Sequence, residues 1–193
     1  MLSLKTFLVK EQISFLRLSD TYDIFDPSSG QKVGDAKETL HIALKLLRLL
    51  IDKQFFPTTI TIADTTGKPL FSLKKSPQFL RAKVTVLDSS GTNIGYFKSK
   101  LISIGGGFHV YDVRDNKIAE VKGDWIGWNF KFLDQNSVEI GTVTKKWAGI
   151  GKELFTSADN YVISLTETSP SAAKKMLLVA AGLAIDLVYK ENR

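Results

Sequence analysis

Apolar and polar residues alternate along most of the chain, in five stretches that share one pattern. Each stretch opens with apolar residues at alternate positions, reaches an aspartate, turns through glycine, asparagine or serine, and continues with a second alternating run that carries lysine near its end. The stretches are residues 22–38, 60–76, 84–100, 108–124 and 130–146. A period of two around turn-forming residues predicts a β-hairpin. The aspartates are then expected to cap their own turns.

The five hairpins, with one strand on each side, predict a closed barrel. The hairpins supply ten strands, and residues 7–18 and 161–166 add one strand before them and one after them. About twelve antiparallel strands bring the first and last together, which leaves no exposed edge. Such a barrel is wider than one that its own side chains can fill. The C-terminal segment 172–189 is apolar all round over residues 176–189, so we expect it to form a central buried helix.

Residues 35–54 depart from this rhythm. They show helical periodicity, and Asp35 and Glu38 have the spacing of a capping box. We therefore expect an inserted amphipathic helix with one basic face. Such a helix either lies on a membrane surface or packs across the outside of the barrel, and the second arrangement is favoured.

Composition narrows the chemistry. The 193 residues suit one domain, residues 1–193. The lack of cysteine excludes disulfides, thiol nucleophiles and cysteine-ligated metals. No sequence motif of a nucleotide-binding loop, a nucleophile elbow or an EF-hand is present, so we do not expect an enzyme. The net charge of +6 favours an anionic partner, either nucleic acid or an acidic lipid surface.

Neither a signal peptide nor a membrane-spanning helix is expected. Lys5 and Thr6 interrupt the first apolar residues. The apolar run at residues 176–189 is shorter than the ~18–20 residues that cross a bilayer. The expected location is therefore the cytoplasm, with a peripheral position at a membrane as an option.

Two segments carry a resemblance to a known family. Residues 145–163, KKWAGIGKELFTSADNYVI, resemble the phospholipid scramblase segment K-x-W-x-G-x-x-[KR]-E-x-F-T-x-A-D-N-[FY]. The ending LLVAAGLAIDLVYKE resembles the closing helix of the same family. Scramblases belong to the wider tubby-like group, which includes the LURP-one-related proteins. The resemblance implies a mainly β, tubby-like barrel of twelve strands around a central hydrophobic helix, which agrees with the hairpin count.

The resemblance also concerns calcium. Where the family's proposed calcium segment begins and ends with aspartate, this chain has Ser157 and Thr168. Asp159 is the acid that remains at a ligand position, and it is a weak calcium candidate. A calcium site needs about six or more oxygen ligands and usually several carboxylates. We therefore expect no cofactor, with calcium doubtful.

The hairpin pattern predicts that one end of the barrel is basic. In an up-and-down barrel the five turns lie at one end, and the lysines near the ends of the repeats lie at the other. Lysines attract anionic headgroups and tryptophans suit the bilayer interface. The predicted lipid-binding residues are Lys74, Lys75, Lys98, Lys100, Lys122, Lys145, Lys146, Trp125, Trp128 and Trp147. Alternatively, the lysines protect strand ends and the aromatic residues close the barrel mouth.

Two classes of function follow from these features. The first is a scramblase-like protein that binds acidic phospholipid and could move lipid between leaflets. The second is a soluble module of the tubby or LURP-one type that binds phosphoinositide or a protein without transport. Nucleic acid is not expected as a partner, and no protein partner is predicted.

Overall fold

The computed structural model describes residues 1–12, 20–39, 55–77, 81–100, 106–124, 126–145, 160–166 and 171–189. Within these ranges the chain forms a closed antiparallel barrel of twelve strands and a C-terminal helix. The strands pair in chain order around the ring, and the first strand closes it against the last. This arrangement confirms the fold class that the hairpin pattern predicts.

The elements are numbered in chain order. The strands are β1 (Thr6–Glu11), β2 (Thr21–Phe25), β3 (Lys32–Thr39), β4 (Thr58–Asp64), β5 (Pro69–Lys75), β6 (Lys83–Asp88), β7 (Asn93–Ser99), β8 (Gly107–Tyr111), β9 (Lys117–Asp124), β10 (Asn129–Asp134), β11 (Glu139–Thr144) and β12 (Asn160–Leu165). The helix is α1 (Ala172–Tyr189). Each predicted hairpin corresponds to one strand pair, from β2–β3 to β10–β11.

The hairpin turns are organised by their aspartates, as the turn chemistry predicts. Asp88 shows the pattern: its carboxylate accepts hydrogen bonds from the backbone N–H groups of Ser90 and Thr92, both at 2.9 Å. The hydroxyl of Ser90 donates to the same carboxylate, and these bonds together lower the pKa of Asp88. Equivalent backbone bonds occur at Asp26, Asp64, Asp112 and Asp134.

Helix α1 lies between opposite walls of the barrel. Strands β6 and β12 are on opposite sides of the ring, and the helix contacts both. Its residues from Leu177 to Val188 are all buried. Gly182 allows the close approach, because a Cβ there would lie 2.4 Å from Cδ1 of Ile163 on β12. The helix therefore fills the space that twelve strands enclose.

The N-terminus of the helix lies near the hairpin turns. The Ser171 hydroxyl accepts a hydrogen bond from the Lys174 backbone N–H at 3.2 Å, which is an N-cap contact. The helix then runs toward the opposite end, where Tyr189 packs against Phe108 and Phe130. None of the helices in the described part of the chain has the length and apolar character needed to cross a membrane.

The predicted start of the inserted helix is wrong. Strand β3 continues through Thr39 and pairs with both β2 and β4. Asp35 and Glu38 therefore lie in a strand, and Glu38 exchanges hydrogen bonds with the backbone of Asp20 instead of capping a helix. The period-two pattern of this stretch, in which Ala36 and Glu38 are buried, prevails over its helical spacing. The remainder of the predicted helix, residues 40–54, lies outside the described residues.

Candidate functional site

The barrel has two chemically different ends. The end with the five hairpin turns is called the turn end. The other end, where successive hairpins are joined, is called the connection end, and Tyr189 lies there. The predicted lysines that the structure describes, from Lys74 to Lys145, lie toward the connection end. Their position along the barrel axis agrees with the predicted basic end. The burial of each side chain decides what it can contact.

Four lysines at this end form a surface that we call the basic arc. They lie on neighbouring parts of the wall, in β5, β6, β7 and β9. Lys74, Lys83 and Lys122 are exposed and Lys98 is partly exposed. They alternate with buried residues such as Leu73 and Phe97, so their side chains point away from the barrel interior. No ion pair joins any of the four to a carboxylate in the described part of the chain.

The strand register places like charges opposite one another in the arc. Lys83 is the direct partner of Lys98 across β6 and β7. The Lys83 ammonium lies 4.2 Å from the centroid of the Tyr96 ring, a cation–π contact. Lys122 is also opposite a lysine, Lys131 of β10, but Glu139 already pairs with Lys131 at 2.8 Å. Directly opposed like charges destabilise a sheet, so an anion bound beside Lys83 and Lys98 would remove an unfavourable interaction.

Lys100 differs from the arc lysines because a carboxylate already holds it. Its ammonium donates a hydrogen bond to Glu120, and Lys117 donates to the other carboxylate oxygen at 2.9 Å. Burial alone would raise the pKa of Glu120, but these two hydrogen bonds outweigh it and lower the pKa to about 2. The pKa of neighbouring His109 is lowered by burial and by Lys117, so His109 adds no charge at neutral pH. Lys100 is therefore a weaker candidate for an external anion than the arc lysines.

Two predicted contact residues are buried inside the barrel mouth. Lys75 is 1% exposed and Trp128 is 4% exposed. At this burial neither side chain reaches a headgroup outside the barrel, so the structure does not support these two as lipid-contact residues. The Trp128 ring packs edge-on against Phe130, which fits the alternative that aromatic residues close the mouth. The ammonium of Lys145 lies 4.6 Å from the Trp128 ring centroid.

Other predicted residues are not part of the described structure. Lys146, Trp125, Trp147 and the calcium candidate Asp159 lie outside the described residues. Within the described ranges, no three acidic or histidine side chains are grouped as metal ligands would be. The candidate site is therefore the basic arc with the surrounding wall of the connection end.

The barrel mouth contains a polar contact that the sequence did not predict. The Tyr22 hydroxyl donates to the Asp186 carboxylate at 2.6 Å, between residues 164 positions apart, and both side chains are buried. Tyr161 is also fully buried, and its hydroxyl has no hydrogen-bond partner in the described part of the chain. Burial first, and then the charge of Asp186, raise the pKa of both tyrosines. In the sequence, the feature that could have indicated this contact is Asp186, an acidic residue in an otherwise apolar segment.

A protein-family comparison identifies the family of this chain. The sequence profile of the family described as Scramblase matches residues 6–192, which is nearly the whole chain. The chain belongs to the scramblase family. This confirms the resemblance carried by residues 145–163 and by the C-terminal segment.

Named scramblases are similar to this chain at low identity. Phospholipid scramblase 1 of Mus musculus is 25% identical over 152 residues, which cover 70% of this chain and 45% of that protein. Phospholipid scramblase 2 of Homo sapiens is 23% identical over an alignment of 207 residues, which covers 96% of this chain and 67% of that protein. The chain spans about half the length of relatives of the first type and two thirds of the second.

The scramblase barrel also has a relative among solved structures. A protein from Arabidopsis thaliana superposes with a TM-score of 0.53 over 97% of this chain and 92% of that chain, at 14% identity. This likeness supports the tubby-like fold. At such identity it carries no information about the ligand.

One basic residue of the site is absent from the predicted set. Lys83 begins strand β6, so it occupies the same end of the barrel as the predicted lysines. The hairpin pattern places Lys83 at this end, because Lys83 immediately precedes the hairpin stretch at residues 84–100. Its pairing with Lys98 depends on strand register, which is not a local property of the sequence.

Proposed function

We propose that the connection end binds acidic phospholipid headgroups and holds the protein at the membrane surface as a peripheral protein. The observation that carries this proposal is the basic arc, whose lysines are solvent-accessible and lack carboxylate partners in the described part of the chain. An anionic surface attracts each nearby lysine by about 1 kcal/mol. The names of the similar phospholipid scramblases agree with a phospholipid ligand.

The charges of the turn end do not favour the same contact. Its turn aspartates accept backbone hydrogen bonds that stabilise their charged form, and they offset basic residues such as Lys68 and Arg114 in the same turns. An acidic bilayer therefore attracts the connection end more strongly than the turn end. We expect the barrel to approach the membrane with its connection end first.

A pair of charge-reversal variants tests this proposal. The first variant changes Lys74, Lys83 and Lys122 to glutamate, all in the basic arc and all exposed. The matched control changes Lys5, Lys68 and Arg114 to glutamate, which are equally exposed and lie toward the turn end. Both variants have the same net charge, so a difference between them reports location.

Binding is measured by flotation with vesicles of phosphatidylcholine and phosphatidylserine at low and high salt. The arc variant should bind at least ~100-fold more weakly than the natural chain, since three contacts of about 1 kcal/mol are lost. The control variant should retain most of the binding. Equal losses in the two variants would show that net charge alone is responsible and would refute the proposed surface. Circular dichroism spectra should be unchanged in both.

Lipid movement between leaflets is the finer part of the proposal. The interior of the barrel is filled by α1, so a lipid would not pass through it, and transport would have to occur at the outer surface beside the bilayer. Vesicles with a fluorescent lipid in both leaflets test this, because external reductant removes more than half of the fluorescence only when lipid exchanges. The alternative function is a tubby or LURP-one-like module that binds phosphoinositide or protein without transport. Binding without exchange would favour that alternative.

The binding that we propose involves no chemical turnover and no cofactor. Ser157 and Thr168 stand where the family's calcium segment has aspartate, which argues against a calcium requirement. Flotation should therefore be equal with micromolar calcium and with a chelator. Calorimetry that detects a tight stoichiometric calcium site would overturn this part of the proposal.

A further inference from the structure

An apolar side chain projects from the connection end. Ile126 lies in the short connection between β9 and β10 and is 75% exposed, more than any other large hydrophobic residue in the described part of the chain. Isolated exposed apolar residues are common on soluble proteins and need no special explanation. The geometry of this connection and its charged surroundings distinguish Ile126 from such residues.

Local contacts define the backbone at residues 126–128. The Asp124 carboxylate accepts hydrogen bonds from the backbone N–H groups of Ile126 at 2.9 Å and Gly127 at 3.0 Å. A Cβ at Gly127 would lie 2.8 Å from the Asp124 carboxylate, so a side chain there would disturb this contact. Trp128 has a φ of 48° in the left-handed region, and its ring is buried in the barrel mouth. The chain therefore turns inward at Trp128 while Ile126 points to solvent.

Lysines surround the base of this connection. Lys122 is exposed on β9, while its exposed cross-strand partner Lys131 on β10 is ion-paired with Glu139 at 2.8 Å. Lys145 lies over the Trp128 ring on the same side of the mouth. An exposed apolar tip above a basic base matches the two layers of an acidic bilayer, whose headgroups are anionic and whose acyl region is apolar.

The exposed valines at the turn end lack this charge pattern. Val113 and Val138 are 58% and 57% exposed, and they lie in turns organised by Asp112 and Asp134. Asp124 caps the turn that carries Ile126 in the same way, so the turn carboxylates do not distinguish the two ends. The difference is the basic arc, which lies at the end that carries Ile126, and the valines therefore provide an internal control.

We infer that Ile126 inserts into the boundary between headgroups and acyl chains of an acidic bilayer. The inference rests on the proposed function, because the basic arc supplies the attraction that brings the connection end to the membrane. It adds a hydrophobic contact, and it fixes the orientation of the barrel with the β9–β10 connection facing the lipid. Because burying apolar surface is favourable, partial insertion of the isoleucine should strengthen binding about fivefold to tenfold.

The absence of cysteine from the natural chain allows a direct test. Two single-cysteine variants, I126C and V138C, are labelled with a fluorophore whose emission shifts to the blue in an apolar environment. Each is mixed with vesicles of phosphatidylcholine and phosphatidylserine, and flotation is measured on the same samples. We expect a blue shift at position 126, with quenching by lipids brominated near the headgroup, and no shift at position 138.

Binding measurements complete the test. I126S should bind about fivefold to tenfold more weakly than the natural chain, and V138S should bind equally well. Flotation without a spectral shift at position 126 would overturn the insertion and leave headgroup binding intact. Failure to float would overturn both proposals. A shift that depends on protein concentration without vesicles would show that a second copy of the chain covers Ile126, and would also overturn the inference.

Discussion

The two buried tyrosines of the barrel mouth provide a matched pair for testing the energetics of this structure. Tyr22 and Tyr161 are both fully buried, and burial raises the pKa of both. The Tyr22 hydroxyl donates to Asp186 at 2.6 Å, whereas the Tyr161 hydroxyl has no hydrogen-bond partner in the described part of the chain. Replacing each by phenylalanine removes one oxygen from a similar environment. The two changes should have different consequences.

The magnitudes follow from the two environments. A hydrogen bond to a charged group contributes about 1.5–3 kcal/mol, so Y22F should lower the free energy of unfolding by about 2 kcal/mol. A buried hydroxyl without a partner carries an uncompensated desolvation cost of about 1–3 kcal/mol. Y161F removes that cost, so it should leave the stability unchanged or raise it by about 1 kcal/mol.

Equilibrium unfolding in urea at pH 7 measures both effects. With a slope of about 2 kcal/mol/M, Y22F should lower the midpoint by about 1 M, and Y161F should leave it unchanged or raise it by up to about 0.5 M. The slope should be the same in all three proteins. Equal destabilisation by the two variants would show that shape and not hydrogen bonding governs the mouth, and would refute this reasoning.

Three further predictions concern Glu120, Gly182 and the helix. The pKa of Glu120 falls from 4.5 to about 2 on folding, so Glu120 stabilises the folded state above pH 4.5 and this stabilisation is lost as the pH falls toward 2. E120Q should therefore lower the free energy of unfolding by about 1–2 kcal/mol at pH 7, after solvent screening, and by little at pH 2. Thermal melts at a series of pH values measure this difference. G182V should lower stability by about 1–3 kcal/mol in urea unfolding, because its Cβ would overlap Ile163, and full stability would refute the close packing. Deletion of residues 171–193 should give a molten or insoluble barrel that binds hydrophobic dye, whereas a soluble product with a cooperative melt would contradict the role of α1 as core.

The sequence determined the local elements of this protein. Alternation with a period of two placed all five hairpins, and the turn aspartates marked where each strand reverses, because these signals act over a few residues. The apolar character of residues 176–189 on every side, interrupted by Asp186, predicted a buried helix. The same alternation places Lys75 on the face of Phe71 and Leu73, so its burial was accessible from the sequence as well.

The sequence around Asp35 and Glu38 fits both a helical period and the strand period of two, and the helix prediction there was wrong. Their spacing suits a helix cap, but β3 is held on both sides by β2 and β4, and pairing with two neighbours outweighs local helical preference. Local pattern could not reveal this, since the partners of β3 are separate segments of the chain.

Only the tertiary structure decided which charged groups remain available to a ligand. Lys98 and Lys100 end the same repeat, yet Lys100 meets Glu120 from another strand whereas Lys98 faces Lys83. The contact of Tyr22 with Asp186 likewise joins distant parts of the chain. Such pairs depend on the register between strands and on the position of the helix inside the ring. Closure of the barrel fixes both, because every strand must pair on two sides around a filled interior.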